Sequence, residues 1–396
     1  MKVTVIGQGY VGLPLAVAAA KYTNQVFGLD TNLEKIAKLS EGLSTIEDLA
    51  DSEIQEALKS GNYFPTSDYS VVEDSDTVLI CVPTPLTNDR KPDLTILIDS
   101  VKMVGRQIKK NTLIIVESTI QPTTCREILI PLLKSESGLE VDEFYFAYSP
   151  ERVDPRNKKW KISNTPKLVS GYSDEALQKA VEFYEKFIQP IIKCESLEIA
   201  ETAKLLENAF RLVNISFINE IADFCAKIGV NVIQVIDAAA TKPYGFMPFY
   251  PGLGAGGHCI PVDPLYLQNA AIGINSKIKL IELAETINNG RADYFVDLAI
   301  KNLGNLTGKK ILIVGVSYKP NVSDVRETPV AGLITGLRKK GAQVLWHDDL
   351  VKEWAGEKSS LLSQEYDLAI IATAHDYLDL QKLGDTPILN TRGSGN

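Results

Sequence analysis

The 396-residue sequence has only three histidines and five cysteines, and neither set forms a recognisable framework. Cys81, Cys125, Cys194, Cys225 and Cys259 are odd in number, widely spaced and contain no Cys-x-x-Cys. That argues against a disulfide scaffold and fits a reducing compartment. His258 and Cys259 are adjacent, which is awkward for two ligands of one tetrahedral ion, and His347 and His375 supply no obvious fourth ligand, so no metal is expected. Long apolar runs are lacking too: none approaches the ~18 residues of a membrane span. The stretch Met1–Ile6 before Gly7 is too short for a signal-peptide core and reads as a first strand. Excess positive charge is also missing. The net charge of −9 disfavours general polyanion binding, nucleic acid included, but leaves room for a small basic pocket around a phosphorylated ligand. The expectation is a cytoplasmic protein without membrane or nucleic-acid partners.

What is present is ample apolar content, 45% of residues, over a length that predicts two or three domains. Strand-like and helical patterns alternate in the first third, as in a parallel sheet wrapped by helices. Strands are expected at Lys2–Ile6, Gln25–Asp30, Asp76–Val82 and Leu113–Glu117, with a helix at Leu13–Lys21. The order returns near the C-terminus at Lys310–Val314, Gln343–His347 and Asp367–Thr373. Between them, Leu197 to Ile228 has no internal Gly or Pro, stops at Gly229 and predicts one long helix. Apolar residues on nearly all its faces predict burial between domains or subunits, hence at least a homodimer. The fold class is α/β: two Rossmann-like parallel-sheet domains, 1–195 and 301–396, joined by a helical middle domain, 196–300, with the long helix as its spine.

Gly7-Gln8-Gly9-Tyr10-Val11-Gly12 follows a strand and opens a helix. Its glycines give a tight turn and close backbone approach to a pyrophosphate, which the helix N-terminus then faces. Asp30, 18 residues beyond Gly12 at the end of the second strand, can hold ribose hydroxyls. Thr31-Asn32-Leu33 offers no cation for a 2′-phosphate, so NAD is preferred over NADP. Thr84, in Val82-Pro83-Thr84-Pro85, and Thr119, in Glu117-Ser118-Thr119, lie just past two strands and serve equally as cofactor contacts or turn residues.

Three further segments hold unusual polar residues: Ser149-Pro150-Glu151-Arg152; Lys204 with Asn208, four apart on one helix face; and Gly254-Ala255-Gly256-Gly257-His258-Cys259-Ile260-Pro261-Val262-Asp263. Taken alone, Cys259 divides between an inert buried thiol and a nucleophile.

In this order the motifs, with Lys319-Pro320 and Asp324-Val325-Arg326-Glu327 after them, resemble the UDP-glucose/GDP-mannose dehydrogenase family over nearly the whole chain. The resemblance implies an NAD-dependent enzyme that oxidises a sugar C6 alcohol to a carboxylate in two steps, through a Cys259 thiohemiacetal and thioester, for surface polysaccharide precursors. It implies Lys204 or a water held by Asp263 as first base, Lys204 and Asn208 as oxyanion stabilisers, and Glu151 or Asp263 at the hydrolytic water, with Thr119 also at the catalytic site. Gly7, Gly9, Tyr10, Val11, Gly12, Asp30, Thr84, Thr119 and Arg326 would hold NAD. Glu151, Arg152, Lys204, Asn208, Tyr250, Gly256, Gly257, His258 and Lys319 would hold the UDP-sugar, Lys319 at its diphosphate. Lys242 sits near a family position that reaches a neighbouring subunit's substrate. Pro150-Glu151-Arg152-Val153 and Gly257-His258-Cys259 are similar to the UDP-N-acetylglucosamine and UDP-N-acetylmannosamine branch rather than to UDP-glucose enzymes. Pro155, where some relatives carry a carboxylate, and Asn390, where Asp is common, depart from the pattern. A one-step hydroxyacid dehydrogenase would have no use for a Gly-rich cysteine loop or a second nucleotide-binding half. A non-catalytic binding protein would not need Glu151, Lys204, Asn208, Cys259 and Asp263 together.

Overall fold

The computed structural model describes residues 1–154, 157, 159–363 and 365–392, so Pro155 lies outside the described residues. The chain divides into two compact units, Met1–Leu206 and Glu207–Asn396.

In the first unit the strands are β1 (Lys2–Ile6), β2 (Gln25–Leu29), β3 (Tyr63–Thr66), β4 (Thr77–Ile80), β5 (Leu113–Val116), β6 (Tyr145–Tyr148), β7 (Lys167–Gly171) and β8 (Ile191–Lys193). They form one sheet in the order β3-β2-β1-β4-β5-β6-β7-β8. All pairs are parallel except β6 with β7. The central strands read as unbroken apolar runs because helices cover both faces. Alternation along each strand splits the core in two. Val3, Val5 and Leu79 pack with Leu13 and Ala16 of the first helix, Gly12–Ala20, on one face. Ile6, Val78 and Ile80 pack with Leu97, Val101 and Leu133 on the other. The strands and helix expected here lie within a residue or two of their observed ends, the usual uncertainty of element boundaries.

The long helix is Leu197–Lys227, and the boundary between the units falls inside it. The second unit continues with helices Val232–Ala240, Asp263–Gly273 and Lys279–Leu303. After them come β9 (Lys310–Val314), β10 (Gln343–His347), a small antiparallel pair β11 (Glu353–Trp354) and β12 (Glu357–Lys358), β13 (Leu368–Ile371) and β14 (Ile388–Asn390). The parallel order β10-β9-β13-β14 repeats β2-β1-β4-β5.

The likeness extends to individual atoms. Asp76 takes the Lys2 amide at 2.7 Å, and Asp367 takes the Lys310 amide at 2.8 Å. Gly7, at φ 92°, and Gly315, at φ 82°, both turn after the first strand of their sheet, and a Cβ on either would strike a carbonyl, that of Cys81 or of Thr373.

Burial of the long helix is one-sided. Leu205, Ala209, Leu212 and Ile218 are buried, but Leu206, Phe210, Phe217 and Phe224 are 45–60% exposed. The last three recur every seven residues and form a stripe that stays about half exposed among the described residues, with Phe249 packing edge-on against Phe210 alone.

Candidate functional site

In the first unit, the fingerprint turn is tight enough to require Gly7 and Gly12. A Cβ on Gly12 would lie 1.9 Å from the Gly7 carbonyl oxygen, whereas one on Gly9 would meet nothing within 4 Å. The space beside Gly9 and the start of the Gly12–Ala20 helix fit a pyrophosphate. The Gln8 amide donates to Asp30 Oδ2 at 2.9 Å, which seats the acid beside the turn. Lys35 Nζ also reaches Asp30 Oδ2, at 2.6 Å. Burial works to raise the Asp30 carboxyl, but hydrogen bonds from Lys35 and from the Asn32 and Gln8 amides outweigh it and hold the group below its ordinary value. Lys35 lies two residues past Thr31-Asn32-Leu33, which holds no cation for a 2′-phosphate, and Asp30 neutralises it. Thr84 donates its hydroxyl to the Thr119 carbonyl at 2.8 Å, tying together the loops after β4 and β5.

Glu151 and Lys204 meet as a buried ion pair, Oε1 to Nζ 2.7 Å, with side chains 12% and 4% exposed. The Val153 amide donates to the other Glu151 oxygen at 2.8 Å. Burial alone would raise this carboxyl; the Lys204 ammonium and the Val153 amide more than offset it, so Glu151 is held below its ordinary value as a carboxylate. Arg152 donates to the Pro166 carbonyl at 2.6 Å. A cavity of about 500 Å³ is lined by Tyr10 and Val11 of the fingerprint together with Glu117, Glu151, Arg152 and Lys167. The fingerprint turn and Glu151 therefore border one space.

Beneath Glu151 lies a cluster that sequence reasoning missed. The fully buried Glu117 is hydrogen-bonded by Lys167 Nζ and the Tyr184 hydroxyl. Lys167 Nζ also faces the Ser149 and Pro150 carbonyls, each at 3.4 Å, and so buttresses the segment that carries Glu151. Burial pushes the Glu117 carboxyl up, and Lys167 and Tyr184 only partly oppose it. Partners 50 and 67 residues away leave no local signal.

The cysteine loop belongs to the second unit. The Cys259 carbonyl accepts the amides of Val262 at 3.1 Å and Asp263 at 2.8 Å, a turn that launches the Asp263–Gly273 helix. Asp263 is buried at the helix start, where a carboxylate complements the macrodipole, and it accepts the Asn208 side-chain amide. Arg211, one turn further along the long helix, donates to Asn208 Oδ1 and fixes which way the amide points.

The glycines of this loop pack where side chains cannot. A Cβ on Gly256 would lie 2.8 Å from the Glu327 carbonyl oxygen, and one on Gly257, at φ 85°, 2.7 Å from the Tyr318 ring. Two residues that carried no motif clamp the loop: Asn288 takes the Ala255 amide at 2.6 Å, and Asn219 takes the Gly252 amide at 2.9 Å. Both are buried polar residues on long helices, and neither belongs to a sequence motif.

Of the remaining sequence candidates in this unit, Arg326 folds onto Asp324 with Nη2–Oδ2 2.7 Å. Lys319 sits 5.7 Å from the Tyr318 ring, and the Tyr250 hydroxyl is 3.4 Å from Asp237. His258 acts on Asp324, helping to hold its carboxyl low behind burial, which opposes, and Arg326. Lys242 Nζ lies 4.9 Å from the Tyr244 ring, and Asn390 ends β14 with its side chain accepting the Arg392 amide at 2.9 Å. Among the described residues no group of His, Cys, Asp and Glu is placed to hold a metal, and no helix is long and apolar enough to cross a membrane.

Three family models match in sequence: the NAD-binding domain of the UDP-glucose/GDP-mannose dehydrogenase family at residues 1–188, its central domain at 198–290 and its UDP-binding domain at 312–392. The chain is 34% identical over 379 residues to a UDP-N-acetyl-D-glucosamine 6-dehydrogenase of Pseudomonas aeruginosa, covering 94% of this chain and 87% of that one. It is 34% identical over 384 residues to a UDP-N-acetyl-D-mannosamine dehydrogenase of Pyrococcus horikoshii, covering 95% and 90%. The solved structure of a UDP-D-ManNAc dehydrogenase from Pyrococcus horikoshii superposes with TM-score 0.92 at 31% identity, covering 99% of this chain and 95% of that one.

Proposed function

Because the chain belongs to the UDP-glucose/GDP-mannose dehydrogenase family, as an NAD-dependent oxidoreductase, we propose that it oxidises the C6 alcohol of a UDP-N-acetylhexosamine to the uronate in two steps. The observation that carries the chemistry is the Cys259–Asp263 turn, with the Asp263 carboxylate buried and held by Asn208. It supports a thiol and a carboxylate acting at one carbon.

NAD, one molecule for each oxidation, would supply the hydride acceptor when bound. In the first, the hydroxyl proton passes to a water held by Asp263, or to Lys204 once its ammonium has handed a proton to Glu151, and the alcohol becomes an aldehyde. The Cys259 thiolate then adds to the aldehyde carbon. The thiohemiacetal so formed loses a second hydride and becomes a thioester, an oxidation closed to an unhydrated aldehyde. Lys204 and Asn208 stabilise the oxyanions, and water delivered by Glu151 or Asp263 releases the carboxylate and restores the thiol.

The substrate reading is supported by relatives named for UDP-N-acetyl-D-glucosamine and UDP-N-acetyl-D-mannosamine. Lys319 would take the diphosphate, with Arg152, Tyr250, Gly256, Gly257 and His258 about the sugar. Arg326 would release Asp324 to close over the cofactor. We assign the cofactor domain to 1–195, the helical middle to 196–300 and the nucleotide half to 301–396. The exposed stripe Phe210, Phe217 and Phe224 supports a homodimer formed along the long helix. Titrating UDP-GlcNAc, UDP-ManNAc and UDP-glucose while following NADH tests the substrate. Turnover of an N-acetylated sugar is expected to exceed that of UDP-glucose; a preference for UDP-glucose would overturn this.

A further inference from the structure

The second Rossmann-like half holds a buried relay that the chemistry above does not use. Asp348 stands after β10 where Asp30 stands after β2, and each accepts the amide of the residue following the glycine: Val316 to Asp348 and Gln8 to Asp30, both at 2.9 Å. In the first half the acid's other side-chain partner is the flexible, partly exposed Lys35. In the second half that place is filled by His375, with Nε2 3.0 Å from Asp348 Oδ2 and both side chains fully buried.

The opposite nitrogen of the ring settles its protonation. His375 Nδ1 lies 2.9 Å from the backbone nitrogen of Asn321. A backbone N–H can only donate, so Nδ1 accepts and the ring proton sits on Nε2, facing the carboxylate. One carboxylate, one neutral imidazole and one amide thus run in series from the core of the half to a turn at its edge.

That turn is Tyr318–Asn321, and it carries Lys319. Asn321 has φ 64°, a left-handed conformation that needs holding. Its side-chain amide donates to Asp376 at 2.8 Å and accepts the Asp376 amide at 3.1 Å, so the residue is clasped from both directions. The His375 ring stacks on Tyr377, centroids 5.3 Å apart. Ser317 donates to the Lys319 carbonyl at 3.0 Å, and the Tyr318 ring closes against Gly257 of the cysteine loop.

We propose that His375 is a positioning residue for substrate: through Asn321 it sets the turn that presents Lys319 to the uridine diphosphate, using the acid that in the first half remains for a ribose. The proposal rests on the reading of Lys319 as the diphosphate ligand. Removing the imidazole leaves the Asn321 amide and Asp348 without a shared partner, and the turn relaxes.

UDP binding by calorimetry tests this on the full-length His375→Ala, His375→Gln and Lys319→Ala chains, beside NAD affinity measured without sugar. His375→Ala is expected to weaken UDP about tenfold, the equivalent of one well-made buried hydrogen bond. It should raise KM for the nucleotide sugar by a similar factor and leave NAD affinity unchanged. His375→Gln, whose amide can donate to Asp348 and accept from Asn321, should recover most of the loss. Wild-type UDP affinity in His375→Ala, a Gln variant no better than the Ala one, or an equal loss of NAD affinity would each overturn it. Lys319→Ala separates the two readings: normal UDP binding there removes the diphosphate role and the proposal with it. Impaired binding there with a normal His375→Ala removes His375 alone. In the wild-type chain the Asn321 amide should exchange slowly with solvent; fast exchange overturns the proposal whichever variants fold.

Discussion

The backbone carbonyl of Cys259 accepts the amide of Asp263 at 2.8 Å, so the residues that carry the thiol and the carboxylate close one turn. The carboxylate is buried and oriented by Asn208, which Arg211 orients in turn. A thiol and a buried carboxylate on one turn suit the proposed covalent intermediate, formed and then hydrolysed at one carbon.

Cys259→Ser should therefore abolish net formation of the uronate, by at least about a thousandfold, because a serine alkoxide is far harder to generate than a thiolate. The first oxidation should survive weakly, and an aldehyde-trapping reagent should capture its product. Undiminished turnover in the variant would remove Cys259 from the reaction.

Gly257→Ala should slow both oxidations and lower stability by about 1–3 kcal/mol, since the residue sits at positive φ and its new Cβ would meet the Tyr318 ring at 2.7 Å. Thermal unfolding and kcat check this together. A variant matching wild type in both would mean that the loop's close packing is immaterial.

Asp30→Ala removes the proposed ribose acceptor and also releases Lys35, which Asp30 holds at 2.6 Å. KM for NAD should rise by roughly 10- to 100-fold, while the ratio of NADP to NAD use climbs and KM for the nucleotide sugar stays put. An unaltered NADP/NAD ratio would show that Lys35 does not reach the 2′ position.

Glu151 gives a pH-dependent contribution whose sign is fixed by its lowered carboxyl. A carboxylate depressed on folding stabilises the protein fully above its unfolded value, about 4.5, and loses that contribution as pH falls through the folded value. The melting-temperature gap between wild type and Glu151→Gln should be widest near neutrality and shrink below that point. A gap independent of pH would contradict the Glu151–Lys204 pairing.

How much of this was legible in the sequence follows the range of each interaction. The α/β class, the strands after which the ligand-facing loops fall and the long helix rest on periodicity and on Gly and Pro punctuation within one element. The repeat between Asp76–Val82 and Asp367–Thr373 was visible as an apolar pattern, and the structure extends it to Gly7 with Gly315 and Asp30 with Asp348. Lys167, Asn288 and His375 were not legible as site supports, since each finds its partner more than 25 residues away and lies in no motif. The long helix shows the opposite limit. Its composition has apolar residues all round, yet one chain covers one face and leaves Phe210, Phe217 and Phe224 exposed.

The stoichiometry of the reaction tests the two-step chemistry most directly. With limiting UDP-N-acetylhexosamine and excess NAD, two NADH should form for each uronate released, with no free aldehyde accumulating. One NADH per sugar, with the aldehyde as final product, would contradict the Cys259 thioester and reduce the enzyme to a single-step alcohol dehydrogenase.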